Sequence, residues 1–130
     1  MLIITLRTDK PDAEIGLYDD YKQLAYLSWQ AHRKLAETLH FKIKQILDDQ
    51  KKSFSDLEGI VIYKGPGSFT GLRIGFSVAN ALADSLQIPI DSQTNDNWIE
   101  AAIANLKAGK NETLALPDYG ADPRVTTAKK

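Results

Sequence analysis

Gly65-Pro66-Gly67-Ser68-Phe69-Thr70-Gly71-Leu72-Arg73-Ile74-Gly75 follows the apolar run Gly59–Lys64 and opens a long apolar segment, so strand, glycine-rich turn and helix succeed one another without a linker. Ile60, Val61 and Ile62 read as a buried strand. Three chemistries compete for the turn. Glycines before a helix N-terminus let backbone N–H groups approach a phosphate. A P-loop, however, ends in Gly-Lys-Ser/Thr, and here Leu72 follows Gly71. In the dinucleotide fingerprint the third glycine would stand one residue earlier than Gly71. The third reading is a tight turn followed by a helix packed closely on its neighbours. A nucleotide-binding module using Gly65–Gly71 stays open at this point, as does a stand-alone hydrolase.

The helix after the turn, Phe69–Leu86, is apolar around most of its circumference. Gly71, Gly75, Ala79 and Ala83 recur every four residues and form a stripe of small side chains along which another backbone can approach. Leu72, Ile74, Phe76, Val78, Leu82 and Leu86 flank it, leaving Arg73, Ser77, Asn80 and Asp84 as a narrow polar sector. Such a helix needs cover from more than one side. Either the sheet and the first helix supply it all, or a partner protein supplies the remainder.

Outward from this unit, Leu2–Arg7 reads as a doubly buried strand, Thr8–Asp12 as a turn, and Ala13–Tyr18 and Gln23–Trp29 as two more strands of an antiparallel meander. His32–Lys51 changes to helical period, with Leu35, Leu39, Ile43, Ile46 and Leu47 on one face; Phe41 projects opposite, among Lys34, Glu37, Lys44 and Gln45. Ser53–Glu58 is a connector. Ile88-Pro89-Ile90 is a short strand, and a third helix runs from near Asn95 to Leu106 with Trp98 at the edge of its inner stripe and Gly109 as its cap. Residues 1–113 form one lobe; 114–130, with Pro117, Gly120 and Pro123, form an extended, partly ordered C-terminal tail. The order β-β-β-α-β-α-β-α predicts an α/β lobe on a mixed five-stranded sheet, its fourth strand parallel to the first. That pattern resembles the lobes of actin-like ATPases and ribonuclease-H-like proteins.

Composition narrows the function. Hydrophobic residues at 43% and charged residues at 25% describe a folded globule rather than a disordered chain. Lys and Arg total 16 against 17 Asp and Glu, a balance that argues against a protein gripping nucleic acid alone. No cysteine is present, which removes disulfides, thiol nucleophiles and thiolate metal sites. His32 and His40 lack the ligand cluster of a zinc centre and read as ordinary helix residues. No apolar run approaches a membrane span, and Met1–Arg7 reads as a strand rather than a signal peptide. The expectation is a cytoplasmic protein.

GPGSFTGLRIG, Gly65–Gly75, resembles the signature of the TsaB family, formerly YeaZ. His32 opening an apolar helix, Ser55-Asp56-Leu57 before the strand, Ala81-Leu82-Ala83 and Ile88-Pro89-Ile90 resemble the same family's N-terminal lobe, and Leu116-Pro117-Asp118-Tyr119-Gly120-Ala121-Asp122-Pro123 its C-terminal Pro-x-Tyr segment. The resemblance implies a single actin-like lobe and a role in making threonylcarbamoyl-adenosine in tRNA. It implies a partner related to TsaD, which carries the metal and transfers the threonylcarbamoyl group, with a TsaE-like ATPase joining the complex and tRNA contacted only indirectly. It implies docking, or self-association as a homodimer, through the first two long helices. The partner-binding set predicted there is Leu35, Leu39, Phe41, Ile43, Leu72, Phe76, Ala79 and Ala83, and the signature residues are Gly65, Pro66, Gly67, Ser68, Phe69, Thr70, Gly71, Arg73 and Gly75. No cofactor is expected in isolation, with ADP or ATP confined to the complex.

Two departures shape the expectation. Family members carry a second actin-like lobe, whereas this chain passes into its tail, so it looks like a reduced form. Where the fold often keeps an aspartate at the end of the first strand, this chain has Arg7, followed by Thr8 and Asp9. Metal-assisted phosphate chemistry needs carboxylates around a hard cation, and Arg7 repels one. Asp19, Asp20, Asp48 and Asp49 fall in turns or on a solvated helix face. Ser68 sits in no G-x-S-x-G elbow and reads as a helix N-cap. No catalytic residue and no metal are therefore expected.

Overall fold

The computed structural model describes residues 1–120; residues 121–130, which include Ala121-Asp122-Pro123 of the tail, and the side chain of His32 lie outside the described residues. The chain runs β1 (Leu2–Arg7), β2 (Asp12–Asp19), β3 (Lys22–Gln30), a 3-10 turn at His32–Lys34, α1 (Leu35–Asp49), a second 3-10 turn at Phe54–Asp56, β4 (Gly59–Tyr63), α2 (Phe69–Leu86), β5 (Ile90–Gln93) and α3 (Trp98–Lys107). The sheet order is β3-β2-β1-β4-β5. β2 is antiparallel to both β1 and β3, while β4 lies parallel to β1 with Ile4 opposite Ile60, and β5 parallel to β4. The mixed five-stranded sheet and the parallel β1–β4 pair follow the predicted order, because α1 is a crossover long enough to return the chain in the same direction.

Alternation along the strands sorts the core into two layers. Leu2, Ile4 and Leu6 of β1 meet Ile15, Ile60, Ile62 and the inner faces of α1 and α2, whereas Ile3 and Val61 meet Trp98, Ala102, Ile103 and Leu106 of α3 on the other face. α1 and α2 thus share one face of the sheet, and α3 packs on β4 and β5 from the opposite side.

Some boundaries differ from the sequence reading. β5 is Ile90–Gln93 rather than Ile88-Pro89-Ile90, since its polar residues Asp91 and Ser92 are buried strand positions that an apolar pattern does not reveal. α3 starts at Trp98, after Asn95 takes a left-handed φ of 74°. Trp98 is 7% exposed and belongs to the core instead of its edge. Gly109 follows the helix at φ +84°, as its predicted capping role requires.

The tail is tied down where it is described. Asn111 Oδ1 accepts from Ile90 N–H at 3.1 Å, Glu112 N–H donates to the Ile90 carbonyl at 2.9 Å, and the Glu112 carboxylate accepts from Ser92 N–H and Oγ at 2.9 and 2.8 Å. Side chains of these two residues therefore close the outer edge of β5. Ala115 is then buried against α2, its N–H and C=O both bonded to the Asn80 carboxamide at 2.8 and 2.9 Å. Residues 114–120 contain no helix or strand and form a strap held against the lobe by these bonds.

Candidate functional site

The glycine-rich turn is built for close packing. Gly65 adopts φ +110°, and a Cβ there would overlap the Asp118 carbonyl of the strap. Across the turn, a Cβ on Gly67 would overlap Asp9, and one on Gly71 or Gly75 would overlap Thr8. The N-terminal half of α2 thus lies directly on the turn that follows β1. Ser68 caps α2, its Oγ accepting from Gly71 N–H at 3.2 Å, and its own N–H donates to the Asp9 carbonyl at 2.8 Å. Pro66, Phe69, Thr70 and Arg73 are exposed. The Phe69 ring lies 4.5 Å from Tyr119 of the strap, with the Arg73 guanidinium 5.6 Å from its centroid. Asp118 N–H donates to the Lys64 carbonyl at 2.8 Å, and Lys64 Nζ to the Leu116 carbonyl at 2.9 Å. The Gly71 amide is thus held by Ser68 Oγ and the Ser68 amide by the Asp9 carbonyl, while Thr8, Asp9 and the Asp118 carbonyl fill the space beside Gly71, Gly67 and Gly65.

The end of β1 is closed in the same way. Arg7 Nε and Nη2 donate to the two Asp9 carboxylate oxygens at 2.9 and 3.3 Å, and the guanidinium stands 4.0 Å over the Tyr63 ring. Burial works against the Arg7 charge, but the hydrogen bond and charge of Asp9 outweigh it and hold its pKa above the ordinary arginine value. The Asp9 side chain is 7% exposed. Among the described residues no group of three His, Cys, Asp or Glu side chains comes together to hold a metal ion.

On the two long helices, the structure corrects the predicted partner-binding set. Leu35, Leu39, Ile43, Leu72, Phe76, Ala79 and Ala83 are core side chains, each no more than 5% exposed. The small-residue stripe of α2 is consumed inside the lobe because three neighbours cover that helix: the sheet, α1 and the strap. The sequence reading weighed only the first two. Phe41 alone of the set faces outward, 70% exposed, with His40 edge-on at 6.3 Å between ring centroids. Ile74, Val78 and Leu82, read from the sequence as flanks of the small-residue stripe but left out of the partner-binding set, are half-buried residues of α2 recurring every four positions. Their signal was that spacing itself, one step round the helix from Ala79 and Ala83. The outer surface of α1 and α2 therefore offers Phe41 and the Ile74–Val78–Leu82 row.

Comparison with known proteins follows this geometry. The model of the family described as "TsaD: tRNA N6-adenosine threonylcarbamoyltransferase" matches residues 29–92, the segment holding α1, β4 and α2. The tRNA threonylcarbamoyladenosine biosynthesis protein TsaB of Buchnera aphidicola subsp. Acyrthosiphon pisum (strain APS) is 32% identical over 91 residues, 70% of this chain and 41% of that one. The solved structure of YeaZ from Pseudomonas aeruginosa superposes with a TM-score of 0.68 at 27% identity, covering 83% of this chain and 50% of that one. RuvC from Thermus thermophilus, at 7% identity, shares the fold alone: its TM-score is 0.52 over 72% of this chain and 64% of that one. The chain thus spans half or less of the length of the TsaB and YeaZ relatives it matches. With the glycine signature seated against the end of β1, and with sequence and fold agreeing on the same relatives, this lobe is TsaB (YeaZ)-like.

Proposed function

We propose that this chain serves the formation of threonylcarbamoyladenosine in tRNA as a non-catalytic subunit, docking through the outer face of α1 and α2 onto a TsaD-type threonylcarbamoyltransferase. The observation that carries the reading is the exposure of Phe41, a large aromatic on the side of α1 opposite its core stripe, on the same face of the sheet as the half-buried row of α2. A non-catalytic role is supported by the end of β1, where Arg7 neutralises Asp9 and the glycines of α2 close over Thr8. Self-association through the same face is the competing state, since one surface serves one occupant at a time. A TsaE-type ATPase joins the assembly in this reading, tRNA is met only indirectly, and ADP or ATP enters with the complex rather than with this chain. The test is to mix the chain with the TsaD-type protein of the same genome and measure mass in solution. A stable heterodimer supports the reading; two species that elute and scatter independently contradict it.

A further inference from the structure

Among the described residues, the sheet face opposite α1 and α2 is only partly covered. α3 packs on β4 and β5, and beside it, over β2 and β3, lies a cleft of about 420 Å³ lined by Tyr18, Tyr21, Gln23, Asp96, Asn97, Ile99, Glu100 and Ile103. It adjoins a smaller cavity whose lining includes Tyr26 and Trp98 and shares Tyr18, Gln23 and Ile99 with it. Two features define the chemistry of the cleft. One wall is aromatic, formed by Tyr21, 52% exposed, and Tyr18, half-buried with its hydroxyl donated to Gln23 Oε1 at 2.9 Å. The other edge is acidic, with Asp96 just before α3 and Glu100 in its first turn. Neither carboxylate makes an ion pair among the described residues, and Lys107 at the far end of α3 is bonded to Asp20 instead.

We infer that this cleft takes an arginine side chain presented by a partner protein. A guanidinium stacks flat on a tyrosine face and bonds a carboxylate at its edge, so it satisfies both walls at once. Unpaired carboxylates repel a nucleic-acid strand, and they give a purely apolar segment nothing to pair with. Glu100 and Tyr18 line the same cleft, and the Tyr18 hydroxyl pKa is held above the ordinary tyrosine value by burial first and the Glu100 charge second. Because α3 and the α1–α2 pair lie on opposite faces of the sheet, this site stays accessible while the proposed docking face is occupied. The inference does not rest on that docking.

The experiment is an NMR titration with a short, end-capped Gly/Ser peptide carrying one arginine, against the same peptide with citrulline. The expected result is shifts confined to Tyr18, Tyr21, Gln23, Ile99 and Glu100, with binding about tenfold weaker for citrulline and for the Asp96→Asn/Glu100→Gln variant, whose exposed substitutions leave the fold intact. Added salt weakens the arginine peptide, and Phe41→Ala leaves it unchanged. Equal binding of both peptides, shifts elsewhere, an unaffected double variant, or no shifts at millimolar peptide would overturn the inference. So would a homodimer that the double variant dissolves in the absence of peptide binding, which would make a second copy the occupant.

Discussion

Thr8 and Gly75 touch with no room for a methyl group between them: the Thr8 hydroxyl fills the position that a Cβ on residue 75 would take. Thr8 is fully buried, and among the described residues its Oγ1 has no hydrogen-bond partner. This contact seats α2 on the end of β1 and explains why a helix of the signature carries glycine where alanine would favour helix formation.

Gly75→Ala should therefore destabilise the lobe by about 1–3 kcal/mol, the cost of overpacking outweighing the gain in helix propensity. Thr8→Val exchanges the unpaired hydroxyl for a methyl in a tight contact, relief of the unpaired group opposing the added bulk, so stability should change by no more than about 1 kcal/mol. Denaturant unfolding of both variants checks the pair. A loss above about 1 kcal/mol for Thr8→Val would mean that the hydroxyl makes a bond the static contacts do not reveal.

Asn80 holds the strap by both backbone groups of Ala115. Asn80→Ala leaves a buried N–H and C=O without partners, a cost of about 1–3 kcal/mol. Hydrogen exchange should show the Thr113–Tyr119 segment opening before the rest of the lobe. Unchanged protection there would show that the strap is held by Phe69–Tyr119 packing and the Lys64 bonds instead.

Removing the Arg7 side chain leaves the nearly buried Asp9 carboxylate without its counter-charge. Because Arg7 itself is about a quarter exposed, the expected loss for Arg7→Met is about 1–3 kcal/mol, below that of a fully buried pair. Arg7→Lys should fall between, since an ammonium keeps the charge but not the two-point contact. Thermal unfolding of the three proteins orders them wild type, Lys, Met. Equal stability of Arg7→Met and wild type would remove the pair from the account.

Much of this fold was legible because it depends on local patterns. The doubly apolar Leu2–Leu6 run, the switch to helical period at Leu35 and the strand–turn–helix unit around Gly65 gave the element order, and crossover geometry gave the parallel pairing of β1 and β4. The projection that set Phe41 opposite Leu35, Leu39 and Ile43 also agrees with its exposure. What the pattern could not show was which neighbour covers an apolar helix face. Cover of α2 also comes from the strap, Leu114-Ala115-Leu116-Pro117-Asp118-Tyr119-Gly120, which bonds to Asn80 and is a short, proline-containing stretch with no periodic signature. Its anchoring runs through Asn80, Glu112 and Lys64, side chains bonding distant backbone groups, and such bonds leave no spacing to read.

Phe41→Ala, measured for stability and for partner binding together, tests the central claim most directly. With Phe41 70% exposed, the isolated variant should unfold within about 0.5 kcal/mol of wild type, while its affinity for the TsaD-type protein falls by about tenfold or more, as loss of an aromatic anchor requires. Unchanged stability together with unchanged affinity would contradict the account and place the docking surface away from α1 and α2.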